Sequence, residues 1–490
     1  MGSRGAAAVV CALALVVPAF GAASSAGSPG VRSTVPRAQC GPGSAPETGL
    51  QGQVPLADRR SGRSRQGYSC NLELLGQYQG EGTTWVNPQY GHCAYNATSV
   101  FGLGRKKSEG VQVIDATDPR HPKLTANLTS PAMLTDTWET LKVNEARGLL
   151  AGVSVGPALG TLAFDVYDIK SDCAHPRLLN SFAGTDQTMP ATTVNHEGQW
   201  SPDGRTYWSS SLGGGGLTAI DVADPTHPRI AGIGAIGFAD HGFELSPDGN
   251  RMYLTTAFPA GVVVLDVSDV QARKPMPVFR ELGRVTWGGP ESVAQHTIPV
   301  TWNGKPYLIA VDEFAGEDVH IIDISDETRP TIVRQLQLEV SRPENAASVA
   351  PDVAHNGLFG YDAHYCGVDR KADPTALACG FFQSGVRVFD VRDPMNPKEI
   401  AYFNPPAQVG RNEQLLGSEH AAHAITYSGN LSGIRDTGPG VMAGWDQPAD
   451  LTADWCSSPP RFVGVDQLWA SCQDNGFLAL RFTNQAYRRP

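Results

Sequence analysis

A short strand motif recurs seven times along this chain, and a unit repeated over most of a sequence limits the fold before any catalytic pattern is weighed. It reads G-V-Q-V-I-D at Gly110–Asp115, G-T-L-A-F-D at Gly160–Asp165 and G-L-T-A-I-D at Gly216–Asp221. It returns as G-V-V-V-L-D at Gly261–Asp266, D-V-H-I-I-D at Asp318–Asp323 and G-V-R-V-F-D at Gly385–Asp390, with a degenerate copy, G-F-L-A-L-R, at Gly476–Arg481. Each copy is a run of β-branched and apolar residues too short for a helix and bounded like a buried strand.

The flanks repeat as well. An Asp-Pro turn follows most copies, as in D-P-R-H-P at Asp118–Pro122, D-P-T-H-P at Asp224–Pro228 and D-P-M-N-P at Asp393–Pro397. Asp opens such turns with its side chain, and Pro fixes φ and cannot continue a ladder. Upstream lies a hairpin turn, S-P-D-G at Ser201–Gly204 and Ser246–Gly249 or W-N-G-K at Trp302–Lys305. One unit is therefore strand, tight turn, strand, loop, motif strand, Asp-Pro turn, outer strand. Four strands per unit is the make-up of a propeller blade. The intervals between motif ends are 50, 56, 45, 57, 67 and 91 residues, which places insertions in loops. The expected fold is all-β, a seven-bladed β-propeller. Its last motif strand has no outer partner, and Asn71–Tyr78 is an orphan strand that closes the ring by completing blade seven.

The apolar strand ending in Asp, followed by Asp-Pro-x-x-Pro, resembles the LVIVD-repeat proteins, a group of predicted β-propellers. The resemblance covers roughly residues 70–485. It implies the propeller fold and little about function. Blade two departs from the pattern at Tyr167-Asp168, and blade seven with Arg481 in place of Asp.

Residues 1–26 read as a secretory signal, with Arg4 before the apolar run Ala6–Phe20 and small residues after it. That run is too short to span a bilayer. Residues 27–69, rich in Gly, Pro, Ser and Arg, read as a flexible linker, and 70–485 as the propeller. Beyond the signal there are eight cysteines, which suits an oxidising, extracellular compartment. Their connectivity is open, with Cys366–Cys379 and Cys456–Cys472 the expected pairs. A net charge of -11 argues against a nucleic-acid surface. The expectation is a secreted monomer that spans no membrane and meets an extracellular protein or a small-molecule ligand.

Two catalytic patterns fail on context. G-V-S-V-G around Ser154 lacks the strand-to-helix turn of a hydrolase elbow, and G-I-G-A-I-G at Gly232–Gly237 follows an outer strand without opening a helix. The motif Asp residues end buried strands before a turn, where Asp bonds backbone N–H groups, so they are structural.

The histidines carry more. His196, His241, His296 and His364 precede their motif Asp by 25, 25, 27 and 26 residues, so they share one position near the start of the innermost strand in consecutive blades. Blade seven adds His420 and His423, blade one offers His92 in a looser register, and blade two has Trp138-Glu139 instead. Glu197, Asp240, Glu291, Asp362 and Glu419 lie alongside. Imidazoles are common transition-metal ligands that carboxylates orient. Such a ring is similar in architecture alone to the iron centre of carotenoid-cleaving oxygenases. Duplication also spreads residues without chemistry, and a polar channel mouth also holds ordered water. Two functions stay open. One is a ligand- or protein-binding module using the loops near Asn195–Glu197, Asp240–Gly242, Glu291–His296, Gly360–Cys366 and Ser418–His423. The other is a metal-dependent hydrolase or oxidoreductase with a divalent transition metal at the ring formed by His196, His241, His296, His364, His420 and His423. No other cofactor, and no catalytic residue, is named by the sequence.

Overall fold

The computed structural model describes residues 32–100, 104–154, 163–181, 196–211, 215–314, 316–353, 359–411, 414–421 and 451–489. Among them seven sheets follow one another in chain order as a ring of blades, five with four strands and two with a fifth. This is a seven-bladed β-propeller.

Blade four shows how the sequence builds the unit. Its strands are Asp240–Leu245, Arg251–Thr256, Gly261–Asp266 and Arg280–Thr286, all antiparallel. In the S-P-D-G turn the Ser246 hydroxyl donates to Asp248 at 2.6 Å, and Gly249 takes φ 73°, a left-handed value that favours glycine. The third strand is buried on both faces, because blades three and five pack against its two sides, and so reads as a continuous apolar run. The motif Asp then caps the turn: Asp115, Asp221, Asp266, Asp323 and Asp390 each accept the amide two residues on, at 2.8–3.1 Å.

Blade two shifts this frame. Its third strand is Phe164–Asp168, so Asp168, which takes the Lys170 amide at 2.9 Å, fills the capping place. Asp165 instead lies buried, accepting the Ala132 amide at 2.8 Å. The ring closes as expected: Leu72–Tyr78 pairs antiparallel with Gly476–Phe482.

The expected linker is not one over its described part. Arg32–Thr34 pairs parallel with the outer strand Thr331–Gln337 of blade five. Leu56–Ser61 forms a short helix, and Tyr68–Cys70 pairs with the outer strand Lys398–Asn404 of blade six. The strap is held without an apolar stripe, which is why it carries no periodicity. Cys40 is bonded to Cys70, and the fully buried Arg387 reaches Glu47 of the strap at 2.7 Å and Glu399 at 2.9 Å.

Four disulfides join the eight cysteines beyond residue 26: Cys40–Cys70, Cys93–Cys173, Cys366–Cys379 and Cys456–Cys472. The last two are the pairs the sequence led us to expect. Cys366 and Cys379 face each other across the inner hairpin of blade six. Among the described residues no helix is long and apolar enough to cross a membrane. The signal-like residues 1–26 lie outside the described residues.

Candidate metal centre

The innermost strands of blades three to six all begin at one mouth of the ring, and three of them open with a β-bulge. In blade four the register breaks between Asp240 and Phe243, and in blade six between Ala363 and Cys366. A bulge re-aims the side chains it carries, and these two carry His241 and His364. Gly242 follows His241 because a Cβ there would overlap the Glu197 carboxylate and the Gln295 carbonyl.

His196, His241 and His364 come together there with two glutamates, Glu139 from blade two and Glu313 from blade five. The Nε2 atoms of His196 and His241 are 2.8 Å apart. His241 Nε2 lies 3.4 Å from Glu313, and His364 Nε2 lies 3.0 Å from Glu139 and 3.5 Å from Glu313. His196 Nε2 is 3.6 Å from Glu139. Glu139 is 1% exposed, and His241 and His364 are 0% exposed, so these charges are out of water.

Two of the rings are locked from behind. His241 Nδ1 donates to the Gln295 carbonyl at 3.1 Å and His364 Nδ1 to the Ser457 carbonyl at 2.8 Å, each in the next blade. A carbonyl can only accept, so Nδ1 carries the hydrogen and Nε2 turns toward the centre. Glu139 is oriented in turn by Gln295 Nε2 at 2.8 Å and the Tyr365 hydroxyl at 3.3 Å. Below them Lys142 pairs with Glu197 at 3.3 Å.

Charge balance follows from this packing. Burial pushes the Glu139 carboxyl up, yet the neighbouring His364 and His196 hold it well below the usual carboxylate range. Glu313 is held at about 2, against burial, by hydrogen bonds from His241 and His364. Burial opposes charge on His364, but Glu139, and then Glu313, lift it to about 9. His241 is raised above its ordinary value, against burial, by Glu197 and Glu313. His196 drops to about 4 through burial and the charge on His241. The cluster thus balances two carboxylates with two imidazolium protons. A divalent cation carries the same charge and would take the Nε2 lone pairs those protons occupy.

Aromatic rings cover the centre. Trp138 lies 5.6 Å from His196, Phe382 and Trp85 lie 4.9 and 5.8 Å from His364, and Trp85 stacks on Trp138 at 5.8 Å. Trp85 and Trp138 thereby wall this site.

The other expected ligands lie elsewhere. In blade five the bulge falls one residue earlier, between Ala294 and His296. Since strand side chains alternate, this turns Gln295 to the centre and His296 away. His296 stacks on Tyr365 at 4.4 Å, and burial lowers it to about 3. His420 belongs to a separate buried group with Asp454 and Asp474, its Nδ1 2.8 Å from Asp474. His423 and Asn195 lie outside the described residues. His92 sits in the turn between the first two strands of blade one and faces Asp115 at 3.9 Å. Glu139 was visible only as the occupant of a His place, and Glu313 was missed. Its signal is register: Asp312 ends the second strand opposite Ala294, which returns Glu313 to the mouth.

A propeller with a histidine–glutamate cluster at the mouth of its ring is thereby defined. The LVIVD repeat family matches residues 212–234 and 314–337, covering parts of blades three and five. The chain is an LVIVD-repeat β-propeller. No curated protein matches it. Solved structures similar to it include the periplasmic gluconolactonase PpgL of Pseudomonas aeruginosa, at 16% identity over 64% of this chain and 82% of that one, with a TM-score of 0.44. A functionally unknown protein of Desulfotomaculum acetoxidans matches at 11% identity over 66% and 86%, TM-score 0.45. A protein of Lactobacillus plantarum matches at 14% over 66% and 87%, TM-score 0.44. Likeness at this level carries no inference about chemistry.

Proposed function

We propose that this protein is an exported metalloprotein whose working part is a divalent first-row transition metal held by His196, His241 and His364 with Glu139 and Glu313. The observation that carries the reading is the convergence of three Nε2 atoms on two buried carboxylates, with two of the rings fixed from behind by backbone carbonyls. Imidazole with carboxylate suits zinc, iron, copper or nickel better than calcium or magnesium. Such a metal activates water or oxygen, which makes a metal-dependent hydrolase or oxidoreductase the class to assay. The loops Asp240–Gly242 and Gly360–Cys366 border the centre, so the same face is the proposed surface for a small-molecule ligand. Export is supported by the four disulfides, which persist in oxidising compartments.

The test is elemental analysis of the protein purified without chelators or a histidine tag, followed by titration with zinc and ferrous iron. Equimolar metal that is lost on substituting His241 supports the proposal. Neither bound metal nor uptake on titration would overturn it, leaving a binding face without a metal.

A further inference from the structure

The Asp-Pro turn of blade two carries a cysteine in the place of its proline. D-C-A-H-P at Asp172–Pro176 shares its Asp, His and last Pro with D-P-R-H-P at Asp118–Pro122 and D-P-T-H-P at Asp224–Pro228. The turn is built in the same way. Asp172 accepts the Ala174 amide at 2.9 Å and lies 3.0 Å from His175 Nδ1, as Asp118 accepts the Arg120 amide at 3.0 Å and lies 2.8 Å from His121 Nδ1. The turn therefore forms without help from Cys173, which is bonded instead to Cys93 in the second strand of blade one. The disulfide pins two neighbouring blades together.

An imidazole stands on this disulfide. His92 occupies the tight turn between Gln89–Tyr90 and Cys93–Asn96, and its carbonyl is fixed by the Ala116 amide at 2.8 Å. Its Nε2 lies 3.4 Å from Cys173 Sγ and 3.9 Å from Asp115. The ring of His92 and the sulfurs of Cys93 and Cys173 all lie within 4.8 Å of one another. The His92 side chain is 53% exposed, Cys173 is 6% exposed and Cys93 0%, so a reagent from solvent meets Cys173 first. The other pairs differ. Cys40 is exposed, but its sulfur faces the Tyr402 hydroxyl at 3.9 Å. Cys366, Cys379, Cys456 and Cys472 are at most 4% exposed.

We infer that Cys93–Cys173 is a thiol-exchange site served by His92, a clasp between blades one and two that a dithiol opens. A thiolate of the dithiol bonds to Cys173 Sγ, and the bond to Cys93 breaks with its electron pair leaving on Cys93 Sγ. The second thiolate of the dithiol then displaces Cys173 Sγ and closes the dithiol's own disulfide. The dithiol is oxidised by two electrons and the cysteine pair is reduced by two. The two protons of the dithiol end on Cys93 and Cys173, with His92 Nε2–H beside the sulfur where the second thiolate is released. A protonated imidazole next to a sulfur favours the thiolate, and a stabilised thiolate leaves faster. Asp115 supports the proton on that ring.

Opening the clasp does not dismantle the interface. The Tyr95 hydroxyl still donates to the Cys173 carbonyl at 3.0 Å, and the Thr125 hydroxyl to the Ala174 carbonyl at 2.7 Å. The inference stands independently of the metal proposed at the other site.

The experiment is reduction of the folded, full-length protein with dithiothreitol, quenched with an alkylating agent and mapped by mass spectrometry. We expect Cys93 and Cys173 to be labelled while Cys366–Cys379 and Cys456–Cys472 stay closed. His92→Gln, at a half-exposed position, should slow opening of Cys93–Cys173 roughly three- to tenfold and leave the rate at Cys40–Cys70 unchanged. An unchanged rate in His92→Gln would overturn the inference, as would a slowing shared equally by Cys40–Cys70. So would opening of Cys93–Cys173 only together with the buried pairs, because that is the signature of global unfolding.

Discussion

His196 and His241 meet Nε2 to Nε2 at 2.8 Å, a distance that requires one of the two nitrogens to carry a proton and the other to accept it. His241 Nδ1 already donates to the Gln295 carbonyl, and Glu313 lies 3.4 Å from its Nε2, so His241 is the charged partner and His196 the neutral one. The pair is one hydrogen ion away from being two metal ligands.

This sets the first prediction. His241→Ala removes a ligand and the proton that bridges to His196, so metal content should fall from equimolar to background. His296→Ala removes a ring turned toward Tyr365 and should leave metal content as it was, at the cost of stability from a buried aromatic contact. Elemental analysis of the two variants beside each other checks both. Equal loss in both would return His296 to the ligand set.

The reason His296 reads as a ligand in the sequence is instructive. Spacing to the motif Asp finds the strand and its approximate start, because turn residues and the Gly–Asp frame are local signals. Spacing cannot find a bulge. One residue of slip turned Gln295 inward and His296 outward, and nothing in the local letters distinguishes A-Q-H from A-D-H or D-A-H. Glu313 was hidden for a related reason, since it reaches the mouth through hairpin pairing rather than through the repeated place. Blade number, ring closure and two disulfides were legible because each follows from pattern or from strand pairing. The strap at 32–69 was not, because edge hydrogen bonds, a disulfide and the Arg387 ion pairs leave no periodic trace.

Stability of the metal-free protein should pass through a maximum with pH. His364 titrates at about 9 when folded, above the ordinary value near 6.5, so its contribution is complete below about 6.5 and is lost as pH rises through about 9. His196 is lowered to about 4, so the unfolded chain binds its proton first and stability falls as pH drops from about 6.5 toward 4. Tm measured against pH should therefore decline on both sides, and His364→Gln should flatten the alkaline limb. Metal affinity should rise with pH over the same alkaline range, because the metal displaces the His364 proton. An unchanged alkaline limb in His364→Gln would remove His364 from this role.

Arg387 holds the strap to blade six. Its guanidinium is fully buried between Glu47 and Glu399, and its ring-facing side lies 4.4 Å over Tyr402. Truncation to Ala leaves two buried carboxylates without their cation, which costs roughly 3–5 kcal/mol. Urea unfolding of Arg387→Ala should show that loss. Glu47→Gln should cost less, since Glu399 still neutralises the guanidinium. A loss below about 1 kcal/mol in Arg387→Ala, the range of an exposed pair, would mean that the strap is not anchored there.

Ring closure depends on a strand that arrives from the opposite end of the chain. Leu72–Tyr78 pairs along the whole of Gly476–Phe482, and Leu72 sits in the apolar layer with Leu478, Leu480 and Phe482. Without it, Gly476–Phe482 becomes an open edge flanked by uncovered apolar side chains, and an unpaired edge of that kind recruits other chains. Deleting residues 71–79 should abolish cooperative unfolding and drive the product into aggregates, read by thermal melting and size-exclusion chromatography. The deletion also removes the partner that holds the blade-seven sheet beside blade one, so the mouth of the ring loses its frame. Metal uptake should disappear with it, although none of the deleted residues touches the histidine–glutamate centre. A soluble deletion variant that melts like the full chain would show that the ring closes by other means.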